Sequence, residues 1–70
     1  MRATFKYNRG DLIADIQLGG LPYRVERRLI DEDTEVGLYV IKRADDNTEL
    51  LRNGKLIDNP ECFRLYREEQ

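Results

Sequence analysis

The side chains in this chain that could do chemistry are mostly carboxylates, and they gather in two short stretches, Asp31-Glu32-Asp33-Thr34-Glu35 and Ala44-Asp45-Asp46-Asn47. Asp31, Asp33 and Glu35 have the alternate spacing that opens a calcium loop. The glycine and the distant bidentate glutamate that complete such a loop are missing, so the first stretch reads as a solvated acidic turn. No Asp or Glu stands alone in an apolar run, the usual setting for a carboxyl with a raised pKa. The chain has no histidine and a single cysteine, Cys62. That removes the commonest general base, the usual partner of a Ser or Cys nucleophile, and the ligand set of a structural zinc. Cys62 lies in an apolar stretch and reads as a buried, inert thiol. No enzyme activity, cofactor or metal is expected.

Binding chemistry remains. The acidic turns Asp31, Glu32, Asp33, Glu35 and Asp45, Asp46 flank one apolar run, Val36 to Arg43, and could meet a basic protein surface. The alternative is a nucleic-acid face built from Arg43, Arg52, Lys55, Arg64 and Arg67. It would need those cations on one side of a sheet with an exposed tyrosine for stacking, Tyr39 or Tyr66. Against it, the formal net charge is −2, and neighbours in sequence on a strand point to opposite faces. Arg24 and Arg28 are expected to be neutralised by Asp15 and Asp11 across a hairpin. A protein partner is the leading expectation.

The elements that would carry these groups are short strands. Gly19-Gly20 separates two branched-rich runs. A two-residue turn there would pair Leu18 with Leu21, Ile16 with Tyr23, Ala14 with Val25 and Leu12 with Arg27, giving one apolar face and one polar face. The strands would run from Leu12 to Leu18 and from Leu21 to Ile30. Arg27 falls on the apolar face, so either a bulge turns the strand there or the side chain snorkels. Arg9-Gly10-Asp11 reads as a turn leading in. Val36 to Arg43 is apolar on both sides, Leu38 and Val40 against Tyr39 and Ile41, as a central strand would be. Asn53-Gly54 predicts a type I′ hairpin pairing Leu51 with Leu56. Asp58-Asn59-Pro60-Glu61 reads as a turn or one turn of 3₁₀ helix before a last strand, Cys62 to Arg67.

Seventy residues, 40% apolar and 37% charged, bound these elements to one small domain. At that size only about 60% of the unfolded surface is buried. No run approaches the roughly 18 apolar residues of a membrane span, and the start has no signal-peptide core, so a cytoplasmic location without membrane association is expected. Residues 1–6 and 68–70 read as tails that can fray. Several short strands between turn signals indicate an all-β fold, and closure into a small barrel would remove exposed edges.

The order of features resembles a known architecture. A lead-in, Tyr7-Asn8-Arg9-Gly10-Asp11-Leu12-Ile13, is followed by twisted strands, a short turn at Asn59-Pro60-Glu61 and a last strand, Cys62-Phe63-Arg64-Leu65-Tyr66. This is similar to SH3-like small β-barrels, including KOW-type and Tudor-type modules and many short bacterial and phage proteins. The resemblance implies a barrel of about five antiparallel strands with one short 3₁₀ turn. It also implies a binding or regulatory module rather than an enzyme.

Overall fold

Leu21–Ile30 forms the longest strand, β2, and the sheet is built outward from it. In the computed structural model, which describes residues 4–66, β1 is Leu12–Asp15, β3 Gly37–Arg43, β4 Glu49–Asn53 and β5 Phe63–Leu65. They make one antiparallel five-stranded sheet in the order β4-β3-β2-β1-β5. The sheet is open, with β4 and β5 as its edges, so the expected all-β class holds without closure. Phe5 and Lys6, placed by the sequence in a fraying tail, are described: Phe5 packs on the core and the Lys6 N–H bonds the Asp58 carboxylate at 3.3 Å. Residues 1–3 and 68–70 of the tails, and Arg67, lie outside the described residues. Among the described residues no helix is long and apolar enough to cross a membrane.

The β1–β2 register differs from the expected one. Asp15 pairs with Leu21, Ala14 with Pro22, Ile13 with Tyr23 and Leu12 with Arg24. The cause is local. The Asp15 carboxylate accepts the Gln17 N–H at 3.0 Å and caps a 3₁₀ turn over Ile16–Leu18, which Gly19 ends at φ 71°. The connection is therefore longer than two residues, and the shift is odd, so every side chain changes face. Ile13 points inward and is fully buried, while Leu12 and Leu18 are exposed. The expected Asp15–Arg24 and Asp11–Arg28 pairs do not form. Arg24 bonds Glu26 at 2.8 Å, and the Asp11 carboxylate accepts the Asn8 N–H at 2.9 Å in the lead-in turn.

The bulge at Arg27 is present. Val25 pairs with Ile41 and Arg27 with Val40, leaving Glu26 as the extra residue. It turns Arg27 and Leu29 to the outer face. The inner face gathers Ile13, Tyr23, Val25, Tyr39 and Ile41, closed over by Tyr7, Ile57 and Phe63.

Asn53-Gly54 is not a hairpin turn. Asn53 is extended (φ −61°, ψ 135°), and its side chain accepts the Lys55 N–H at 2.8 Å, capping a one-turn helix, α1, over Gly54–Ile57. Leu51 pairs with Val40 and not with Leu56, and Glu49 faces Lys42. Asn favours helix N-caps as strongly as it favours turns, and here Ile57 gains full burial by the helical choice. Asn53→Ala should lower stability by about 1 kcal/mol and Asn53→Asp should leave it near wild type, read as urea midpoints. The expected turn before the last strand is present: the Asn59 C=O accepts the N–H groups of Cys62 and Phe63, and its side chain accepts that of Glu61.

Candidate functional site

β3 is central and apolar on both faces, and its inner face lies against the core cluster. On the outer face Val40 lies between Arg27 and Leu51, and Leu38 lies beside Leu29, in adjacent rows of the ladder. Leu29 and Leu51 are 40% and 54% exposed, while Val40 between them is 6% exposed.

Charge sharpens the picture. Next to the strip, Glu26 receives Arg24 at 2.8 Å and Lys42 at 3.7 Å, and Lys42 also approaches Glu49 at 3.9 Å. The Arg24 guanidinium holds the Glu26 carboxyl below its usual pKa. That row is mutually neutralised. Arg27, exposed and set among the apolar residues, has no carboxylate partner among the described residues.

The two acidic turns sit at opposite ends of β3, about 20 Å apart at the strand rise, so they do not form one patch. In the first, the Asp31 carboxylate accepts the N–H groups of Asp33 and Thr34, and Asp31 N–H bonds the Val36 C=O. Glu32 and Asp33 stay exposed, and Glu35 sits at φ 58°. This turn borders the strip beyond Leu29 and Leu38. In the second, Asp46 accepts the Thr48 N–H and the Arg43 guanidinium, which hold its carboxyl below the usual range, while Asp45 is exposed. Among the described residues no three potential ligands gather to hold a metal ion.

The basic residues do not all share a face. Arg43 reaches over the Tyr23 ring on the inner side, at 6.0 Å from its centroid, and pairs with Asp46 at 3.3 Å. Arg52 sits opposite Tyr39 on the inner side of β4, and its guanidinium folds back onto the Leu51 C=O at 2.9 Å. Lys55 lies on α1. Arg64 is opposite Ala14, on the outer side of β5.

The tyrosines named as stacking candidates differ. Tyr39 is fully buried. Its hydroxyl donates to the Asp58 carboxylate at 2.6 Å and accepts the Tyr7 N–H at 3.2 Å, and the Phe5 ring meets it edge-on at 5.3 Å. Burial, then the Asp58 carboxylate, push its pKa up to about 12. It is a bolt between the lead-in and the core. Tyr66 is half-buried at the surface, and Cys62 is half-buried and packed on the core.

The sequence carried one signal for the strip, the two-sided apolar pattern of Leu38 to Ile41. It carried none for Leu29 and Arg27, whose face the bulge decides, nor for Leu51, whose face the β3–β4 register decides. No protein-family model, curated protein or solved structure matches this chain.

Proposed function

We propose that this chain is a non-enzymatic protein-binding module, a small regulator of a larger bacterial or phage-encoded assembly, and that it docks through the outer face of β2, β3 and β4. The observation that carries this reading is the apolar strip Leu29, Leu38, Val40, Leu51, exposed at Leu29 and Leu51, with Arg27 beside Val40 and without a carboxylate partner among the described residues. Contiguous apolar surface rimmed by charge marks interaction sites, and arginine set in apolar surroundings is a common anchor of such sites. The acidic turn Asp31–Glu35 at one end of the strip favours a partner with a basic rim. Resemblance to SH3-like barrels agrees with a binding role: the lead-in, twisted strands, the turn at Asn59 to Glu61 and the last strand follow in the same order. The nucleic-acid alternative has no comparable support, since Arg43 and Arg52 lie on the inner side of the sheet and Arg64 on the outer side.

The test is affinity capture from nuclease-treated source cells, with variant baits. Wild type should retain a partner that Leu51→Glu loses, with the two baits melting alike, because Leu51 is exposed. Asp33→Lys should weaken capture at low salt and Asp45→Lys should not, since only the first turn adjoins the strip. Equal recovery by wild type and Leu51→Glu would remove the strip from the binding role.

A further inference from the structure

β5 is the second free edge of the sheet. The Cys62 C=O and the Tyr66 N–H are bonded to Ile16 and Leu12 on the β1 side, each at 2.9 Å. Alternate residues of an antiparallel ladder turn their backbone groups the same way, so Phe63 and Leu65 turn theirs outward. The Phe63 groups are taken: its N–H bonds the Asn59 C=O at 3.0 Å and its C=O accepts the Tyr7 hydroxyl at 3.4 Å. Leu65 presents both its N–H and its C=O to the open edge, and its side chain is 51% exposed.

Beside that edge lies an open groove of about 1100 Å³, with Lys6, Asn8, Arg64, Leu65 and Tyr66 among its walls. Among the described residues its one carboxylate, Asp11, already accepts the Asn8 N–H. Lys6 lies over the Tyr7 ring at 5.4 Å from the centroid. Neither Lys6 nor Arg64 has a carboxylate partner among the described residues. In a chain of net charge −2, this is a local cationic site next to unused backbone groups.

We propose that an extended acidic peptide segment of a partner protein binds here as an added strand along β5. Its backbone pairs with Leu65, and its carboxylates reach Lys6 and Arg64. Strand addition supplies the main-chain bonds, and alternate side chains supply specificity. A second copy of this chain is a poor occupant, because antiparallel β5 edges would bring Arg64 close to its own symmetry mate. The groove is separate from the outer strip of β2 to β4, so the two interfaces can be tested apart.

The probe is a fluorescein-labelled octapeptide of alternating glutamate and valine, read by anisotropy. An octapeptide of lysine and valine and a ten-nucleotide oligo-dT serve as comparators. The acidic peptide should bind saturably, and binding should fall as salt screens the contact. Arg64→Glu should weaken it by about tenfold or more. Leu65→Pro should also weaken it, because proline removes the outward N–H and leaves the β1 ladder untouched. Leu51→Glu should change nothing here. As a check that needs no variant, the Leu65 amide of the wild type should exchange more slowly when the peptide is bound. The proposal fails if the acidic peptide does not bind at millimolar concentration, if Arg64→Glu binds it as well as wild type, or if oligo-dT binds more tightly. It also fails if Leu65 exchange is unchanged, which would leave a charge contact without strand addition.

Discussion

Gly54→Ala should lower the melting temperature by about 10 °C or more, and Gly54→Val by more still. A Cβ at Gly54 would stand 2.7 Å from the Gly37 carbonyl oxygen and 3.1 Å from its carbon. Those are backbone atoms at the start of β3, so nothing can swing aside. Either α1 lifts away, and the fully buried Ile57 with it, or the first residues of β3 move. Overpacking of this kind costs about 1–3 kcal/mol, and valine adds branches to the same clash. Each kcal/mol is worth about 4–8 °C in a domain of this size. Gly19 provides the contrast. It sits at φ 71° with nothing near its would-be Cβ, so its demand is conformational. Asparagine tolerates that region, and Gly19→Asn should melt near wild type while Gly54→Asn should fall as far as Gly54→Ala. Thermal melts of the four variants decide it. Wild-type melting of Gly54→Ala would mean that α1 does not approach β3 this closely.

Tyr39→Phe should cost about 1–3 kcal/mol although it removes one atom from the core. The hydroxyl serves two partners, the Asp58 carboxylate and the Tyr7 N–H; its loss strands the buried Tyr7 N–H and removes the shorter of the bonds to Asp58, at the join between lead-in and core. The same bond carries a pH signature. The fold binds the phenolic proton more tightly than the unfolded chain does, with the pKa raised from 10.0 to about 12. The stabilisation is complete below pH 10 and is lost as pH rises from 10 towards 12, where the unfolded chain gives up the proton first. Urea midpoints of wild type and Tyr39→Phe should differ most at pH 8 and converge by about pH 12. A constant gap across that window would show that the hydroxyl is not held as described.

Part of this fold can be read from residue order alone. β2 has the expected bounds because its alternation is strong and Pro22 sits at its outset. The bulge was signalled by Arg27 falling on the apolar side, and the Asn59 turn by Asn-Pro. The β1 register was not legible, because Leu12, Ala14, Ile16 and Leu18 alternate as convincingly as Ile13 does. What decides between them is distant: Ile13 packs with Tyr23, Phe63 and Ile57 in one cluster, a gain no local pattern expresses. Asn53-Gly54 failed for a related reason. Its side chain suits a tight turn and a helix cap alike, and the burial of Ile57 chooses. For the candidate surfaces, Leu38 and Val40 were visible as the second side of β3. Lys6 and Arg64 meet at one groove only because the lead-in and the last strand lie side by side, which spacing along the chain does not encode.

The folded-back guanidinium of Arg52 has a consequence for the protein at high concentration. The Thr48 C=O is bonded to Arg43 on β3, so by alternation the Leu51 carbonyl faces the open side of β4. Arg52 occupies that carbonyl and holds a positive charge at the open edge of β4. Two molecules meeting edge to edge along β4 would have to displace both guanidinium groups and bring them together. A bare edge of this composition would template fibril-like stacking; this one carries its own guard against runaway polymerisation.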